Sequence, residues 1–108
     1  MMQSAMFERI EKEIMANDVV LYMKGTAAFP KCNFSASVVQ ILSKLGIRFR
    51  DVNAMDDSEL RRGLSDFANW PTLPQLYVKG EFIGGADIVR EMYEAGELQA
   101  LLEDRGVA

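Results

Sequence analysis

The chain contains a single cysteine, Cys32, and its thiol is the side chain best suited to covalent chemistry. One sulfur per chain cannot form an internal disulfide, so any disulfide at Cys32 must use a thiol from another molecule. Ser35 occupies the position at which a Cys-x-x-Cys motif would place its second sulfur. Because a hydroxyl cannot resolve a mixed disulfide, we expect a further outside thiol to release Cys32.

The sequence around Cys32 favours a reactive thiolate. Cys32 follows a loop that contains Gly25 and Pro30, and it precedes Asn33, at which a helix is predicted to begin. The N–H groups of the first turn, the helix dipole and the adjacent Lys31 would all stabilise a negative charge on sulfur. We therefore expect a lowered pKa for the thiol. The alternative for a lone cysteine is a small buried side chain without a chemical role.

Composition excludes several other kinds of site. Histidine is absent, which rules out a Cys-His catalytic pair and any zinc or haem site built on histidine. A metal site of four thiolates within one chain would need four cysteines. The formal net charge of −4 and the lack of a basic run argue against nucleic acid as a partner.

Length and hydrophobic content predict a single domain over residues 1–108. A chain of 108 residues, 49% of them hydrophobic, is long enough for one core and too short for two ordinary domains. Charges at Glu8 and Arg9 interrupt the apolar stretch that a secretory signal requires, and no later segment approaches the length of a membrane span. We therefore expect a cytoplasmic protein with no membrane partner, in which a lone thiol stays reduced.

Hydrophobic periodicity predicts the elements that position Cys32. In the first half of the chain these are a surface helix from Ser4 to about Asn17, a buried strand over 19–23, a helix that Gly46 ends, and a strand over 47–52. A strand, a helix and a strand in this order predict a right-handed βαβ unit with parallel strands.

The second half adds a helix, a hairpin and a final helical stretch. The helix is predicted to start with Asp56 as its acceptor and Glu59 three residues later, and prolines 71 and 74 end it. The hairpin joins Gln75–Val78 to Glu81–Ile83, and the last helical stretch runs from about Asp87 to Leu102 with a break near Gly96. The order predicts an α/β, thioredoxin-like fold: a four-stranded mixed sheet with helices on both faces.

Several separate motifs occur in the order in which one family has them. They are residues 23–26 (Met-Lys-Gly-Thr), 29–35 (Phe-Pro-Lys-Cys-Asn-Phe-Ser), 69–77 (Asn-Trp-Pro-Thr-Leu-Pro-Gln-Leu-Tyr), 84–88 (Gly-Gly-Ala-Asp-Ile) and 91–98 (Glu-Met-Tyr-Glu-Ala-Gly-Glu-Leu). Together they resemble the monothiol glutaredoxins, whose signature is Cys-Gly-Phe-Ser, over roughly residues 10–102. The resemblance implies a thioredoxin fold in which glutathione lies in a groove beside the active cysteine.

The resemblance also implies which residues bind glutathione. Lys24 and Arg61 match the cations that meet its glycine carboxylate. Leu73 precedes Pro74, a proline that is cis in the family, and would pair its main chain with the cysteinyl part of the tripeptide like an added strand. Without the resemblance, Lys24 and Arg61 are simply solvated surface charges.

The γ-glutamyl end of glutathione would lie against the residues that follow the hairpin. Helix-terminal N–H groups would bind its carboxylate and the Asp87 carboxylate would bind its ammonium, so the residues concerned are Gly85, Ala86 and Asp87. The alternative for Asp87 is a helix cap. Trp70 is expected in the core or in the groove wall.

The chain departs from the family pattern at three positions. Asn33 stands where the family has glycine after the cysteine, and its side chain would narrow the ligand space or donate to the sulfur. Ala86 replaces a common cysteine, so Cys32 has no second candidate for a disulfide. Ala27 replaces a common proline, which is expected only to loosen the loop.

Two main functional hypotheses follow. In the first, the protein carries a 2Fe-2S cluster: two chains each supply Cys32 as a metal ligand and two glutathiones supply two further thiolates, which gives the four sulfurs required. The resemblance supports this hypothesis, because monothiol glutaredoxins are typically cluster donors and partners in iron homeostasis, often with BolA-like proteins. It implies a homodimer in the cluster-bound state and iron-sulfur recipient proteins as partners.

In the second hypothesis, the protein is a weak glutathione-dependent oxidoreductase. The catalytic Cys32 thiolate would attack the glutathione sulfur of a protein mixed disulfide, and a second glutathione would regenerate it. The long 25–31 loop, which the efficient dithiol members lack, weighs against high activity. A third hypothesis is that the protein is a thioredoxin-like binding module whose thiol site has lost its role. Asn33, in place of the family's glycine, is the reason for considering it.

Overall fold

The structure, a computed structural model, describes the backbone of residues 2–107 and the side chains of residues 5–107. In chain order its elements are α1 (Met2–Ala16), β1 (Val19–Met23), α2 (Asn33–Lys44), β2 (Arg50–Asn53), α3 (Ser58–Ala68), β3 (Gln75–Val78), β4 (Glu81–Gly84), α4 (Ala86–Glu94) and α5 (Glu97–Asp104).

The four strands form one mixed sheet in the order β2-β1-β3-β4. β1 pairs in parallel with β2, as the predicted βαβ unit requires, and antiparallel with β3. β3 and β4 form the predicted antiparallel hairpin, with a register shift between Leu76 and Tyr77. The predicted four-stranded mixed sheet is confirmed.

The buried strand β1 separates two hydrophobic cores. Because side chains alternate along a strand, Val19, Leu21 and Met23 pack with α2, α4 and α5 on one face of the sheet. Val20 and Tyr22 pack with α1 and α3 on the other face. Every β1 residue is buried, so helices cover the sheet on both faces and the fold is thioredoxin-like, as predicted.

The prediction for the second strand was wrong at its start. The strand begins at Arg50, three residues after the predicted Ile47, because Ile47 takes part in the motif that ends α2. The Ile47 N–H donates to Leu42 O at 3.0 Å, and the N–H of Gly46 donates to Ser43 O at 3.0 Å. These two bonds form a Schellman motif around Gly46, whose φ of +69° suits glycine, so the predicted helix stop is confirmed.

The start of α3 also differs from the prediction by one residue. Asp57, not Asp56, is the N-cap, and its side chain accepts a hydrogen bond from the Leu60 N–H at 3.0 Å. The last helical stretch is broken at Gly96 (φ +76°), as expected, which separates α4 from α5. Among the described residues, no helix has both the length and the apolar character needed to cross a membrane.

Candidate thiol site

Cys32 is the N-cap of α2, at the carboxyl end of the loop that follows β1. The pKa of its thiol is lowered, chiefly because the Ser35 N–H donates to the sulfur; partial burial opposes this effect, and the Phe34 N–H, the charge of Lys24 and the Ser35 hydroxyl add to it. The expected direction of the pKa shift is therefore supported. The contributing lysine is Lys24, at the end of β1, and not the adjacent Lys31 on which the sequence argument relied.

Ser35 has a role that the sequence argument missed. Its side chain is fully buried, and its Oγ accepts a hydrogen bond from the Lys24 N–H at 3.1 Å while its hydroxyl donates to the Cys32 sulfur. The residue that replaces the second cysteine thus holds the end of β1 against the first turn of α2. Its place three residues after the N-cap was the signal available in the sequence.

The loop before Cys32 is closed by its own hydrogen bonds. Thr26 and Phe29 exchange main-chain bonds of 3.2 and 3.1 Å, and the Lys31 N–H donates to Lys24 O at 2.9 Å. Gly25 has a φ of +87°, and an added Cβ would lie 2.5 Å from Phe29 O, so only glycine fits there. These contacts fix the conformation of the loop and therefore the position of Cys32 at the start of α2.

Two side chains of β2 tie this loop to the sheet. Asp51 Oδ2 accepts from the Ala27 N–H at 2.8 Å, and Asn53 Oδ1 accepts from the Gly25 N–H at 3.0 Å. The expectation that Ala27 only loosens the loop was wrong. A proline at position 27 has no N–H to donate, so alanine here allows an additional bond between the loop and β2.

Cys32 lines a groove of about 450 Å3, here called the thiol groove. Six of the residues predicted for glutathione line it together with Cys32: Lys24, Leu73, Pro74, Gly85, Ala86 and Asp87. The Leu73–Pro74 bond is cis, as the resemblance implied. The seventh predicted residue, Arg61, lines an adjacent cleft that also includes Lys24, Thr72 and Leu73.

Trp70 and Gly85 form one wall of the thiol groove. Gly85 is the N-cap of α4, and a Cβ added to it would lie 2.8 Å from Trp70 Nε1. The indole nitrogen is buried and has no hydrogen-bond partner among the described residues. This close approach explains why a glycine precedes α4, whose first residues, Ala86 and Asp87, also line the groove.

Charges at the start of α4 are partly paired within the chain. Asp87 is exposed, and its carboxylate lies 3.2 Å from Arg90 one turn later. An exposed pair of this kind is worth about 0.2–1 kcal/mol, so the Asp87 carboxylate stays available to an ammonium group. Asp87 is not the N-cap of α4, because that position belongs to Gly85.

Gln75 supports the turn that carries Pro74 and was missed by the sequence argument. Its buried Nε2 donates to Trp70 O at 3.0 Å and to Leu64 O at 3.3 Å, and its Oε1 accepts from the Tyr77 hydroxyl at 2.9 Å. Because each polar atom of the Gln75 amide group has a partner, the turn is held against α3. A glutamine at the start of a buried strand was the only hint in the sequence.

Asn33 does not occupy the thiol groove. It is the first residue of α2, it is exposed, and it lies outside the set of residues that line the groove. The two effects expected from its side chain, a narrower ligand space and a bond to sulfur, are absent in this arrangement, in which the bonds to sulfur come from Phe34 and Ser35.

Comparisons with known proteins agree with this architecture. The glutaredoxin family model matches residues 19–83. A probable monothiol glutaredoxin 2 from Rickettsia conorii is 52% identical over 103 residues, which are 95% of this chain and 96% of the relative. The solution structure of reduced apo GrxS14 from poplar is similar with a TM-score of 0.82 and 46% sequence identity, over 94% of this chain and 93% of that chain.

A more distant structure shows the same fold. The crystal structure of a buckwheat glutaredoxin–glutathione complex has a TM-score of 0.85, covering 98% of this chain and 94% of that chain, at 21% identity. The thiol at the N-terminus of α2, the cis Leu73–Pro74 bond and the family match all lead to one assignment. The chain belongs to the glutaredoxin family and is a monothiol glutaredoxin.

Proposed function

We propose that this protein binds glutathione in the thiol groove, with the tripeptide sulfur beside Cys32. The Leu73 main chain would pair with the cysteinyl part, and Lys24 and Arg61 would meet the glycine carboxylate where the groove joins the adjacent cleft. The γ-glutamyl carboxylate would accept from N–H groups at the start of α4, and Asp87 would pair with the ammonium.

The cargo that we propose for this site is a 2Fe-2S cluster shared between two chains. Within residues 5–107, whose side chains the structure describes, no three His, Cys, Asp or Glu side chains are grouped so as to hold a metal ion. Because Cys32 is the single cysteine of the sequence, one chain supplies one thiolate. The four ligands would be Cys32 from each of two chains and the thiols of two glutathiones. The exposed position of Asn33 leaves the groove open for this arrangement.

In this role the protein would work as a single domain over residues 1–108 in the cytoplasm. It would form a homodimer while loaded and pass the cluster to recipient proteins, with BolA-like proteins as further partners. Ligands contributed by exchangeable glutathione would make the cluster labile, which suits transfer.

The observation that carries the proposal is the placement of one activated thiol in the same groove as the cis Leu73–Pro74 turn and the α4 N-terminus. The test is anaerobic reconstitution with ferrous iron, sulfide and glutathione, followed by visible absorption and size-exclusion chromatography. We expect a coloured dimer that needs glutathione and that Cys32→Ser abolishes. A colourless monomer in the presence of glutathione would contradict the carrier proposal.

A second candidate function is reduction of protein–glutathione mixed disulfides. The lowered pKa of the partly exposed Cys32 thiol favours it, because the thiolate is the attacking species. Cys32 would displace the protein thiol and take the glutathione, and a second glutathione would release Cys32 and leave as glutathione disulfide. Fast turnover of a glutathionylated peptide, with no cluster uptake, would favour this function over the carrier.

A further inference from the structure

A second cleft, here called the α3 cleft, lies beside the thiol groove. It has a volume of about 470 Å3 and lies between α3 and residues 71–73. Four of its lining residues follow one another at positions i, i+3, i+4 and i+7 of α3, which places them on one face of the helix: Ser58, Arg61, Arg62 and Ser65. The helix therefore presents two guanidinium groups and two hydroxyls to the same space.

The α3 cleft concentrates positive charge without a carboxylate of its own. Lys24 joins the two arginines in its wall, and no Asp or Glu is among its lining residues. Neither Arg61 nor Arg62 forms an ion pair with the described part of the chain. The carboxylate at the start of α3, Asp57, caps the helix and lies 3.5 Å from Arg9 of α1. In a chain of net charge −4, this cleft is suited to an anion.

The α3 cleft continues the thiol groove beyond the glycine end of the proposed glutathione site. Lys24, Thr72 and Leu73 line both spaces. A glycine carboxylate at Lys24 and Arg61 would occupy the junction between them. Arg62 and Ser65 then remain unused, so the cleft holds one cation more than glutathione requires.

We infer that the α3 cleft is a subsite for a second carboxylate on the C-terminal residue of a γ-glutamylcysteinyl peptide, with Arg62 as its main contact. This inference rests on the proposed binding of glutathione in the thiol groove. The ligand class is a thiol tripeptide whose last residue is Glu or Asp in place of Gly. Its added carboxylate would lie on the Ser58–Ser65 face of α3, where a guanidinium group forms charge-assisted hydrogen bonds.

The test compares three peptides that have the same reacting thiol: glutathione, γ-Glu-Cys-Glu and its neutral analogue γ-Glu-Cys-Gln. The protein is equilibrated with equimolar pairs of peptides and their disulfides, and the ratio of the two mixed disulfides at Cys32 is measured by intact mass spectrometry. The same exchange with the protein unfolded in urea corrects for differences in how readily the three peptide thiols form a disulfide. The variant is Arg62→Ala, and the matched control is Arg48→Ala, an exposed arginine away from the cleft.

We expect the wild-type protein to prefer the Glu peptide over the Gln peptide about 1.4- to fivefold, which is the range for an exposed ion pair. Arg62→Ala should abolish this preference, and Arg48→Ala should keep it. A ratio of one or less in the wild type, or a preference that survives Arg62→Ala, overturns the inference while glutathione itself still binds. If no peptide forms more mixed disulfide than in urea, the proposed glutathione site fails as well, and the two failures are distinguished.

Discussion

Replacing Ser35 with alanine should weaken both the fold and the thiolate. Ser35 Oγ, on a fully buried side chain, accepts from the Lys24 N–H at 3.1 Å. A buried donor left without a partner costs about 1–3 kcal/mol. Each kcal/mol lowers Tm by roughly 4–8 °C in a domain of this size. The Cys32 sulfur also loses the hydroxyl that donates to it, so the pKa of the thiol should rise.

Two measurements on Ser35→Ala test these effects separately. Urea unfolding followed by Trp70 fluorescence gives the free energy of unfolding, and the pH dependence of iodoacetamide alkylation gives the titration of Cys32. The matched control is Ser43→Ala, the same change at an exposed position of α2. The reasoning is refuted if Ser35→Ala unfolds at the same urea concentration as Ser43→Ala and its alkylation midpoint does not move upward.

Three further predictions concern the loop, the groove wall and pH. Asp51→Ala removes the acceptor of the Ala27 N–H and should lower the unfolding free energy of the wild type by about 1–2 kcal/mol. In an Ala27→Pro background, which lacks this N–H, the same change should cost much less. Equal losses in the two backgrounds, measured by urea unfolding, would contradict the hydrogen bond. Gly85→Ala should destabilise the fold by about 1–3 kcal/mol and weaken glutathione binding, because its Cβ would lie 2.8 Å from Trp70 Nε1; calorimetric titration with unchanged affinity would show that the α4 N-terminus does not bind the tripeptide. Folding lowers the pKa of Cys32, so the thiolate should stabilise the folded state. This stability should be fully present above the unfolded-state pKa of the thiol and be lost as pH falls through its folded pKa. Cys32→Ser should remove this pH-dependent part of the unfolding free energy, and identical pH profiles of the two proteins would refute the prediction.

Local patterns predicted most of the elements around Cys32. The apolar run of β1, the hairpin turn and the glycine stop of α2 depend on neighbouring residues, and the structure confirms them. The two errors at element starts arose where neighbouring residues gave competing local signals. Ile47 is apolar enough for a strand but its N–H completes the end of α2, and Asp57 outcompetes Asp56 because its side chain reaches the Leu60 N–H.

The site was predicted mainly through spaced motifs, which indicate residue types but not contacts. The motifs identified six residues that line the thiol groove, but they did not indicate that Arg61 lines a neighbouring cleft, which shares Lys24, Thr72 and Leu73 with the groove. They also gave no sign of the Gln75 bonds to Trp70 and Leu64. These bonds join residues on different elements, so no periodic pattern in the sequence indicates them.

What the sequence by itself determined is therefore a single thiol at the start of a helix, since the order of loop, Cys32 and α2 is a local property of the chain. Only the tertiary structure decided which groups surround that sulfur. The lysine charge that lowers the pKa of the thiol is that of Lys24, at the end of β1, and not that of the adjacent Lys31. Asp51 accepts a hydrogen bond from Ala27, 24 residues away in the sequence. Contacts of this kind depend on how the strands pair and which way each side chain points, and these are fixed only when the whole sheet forms.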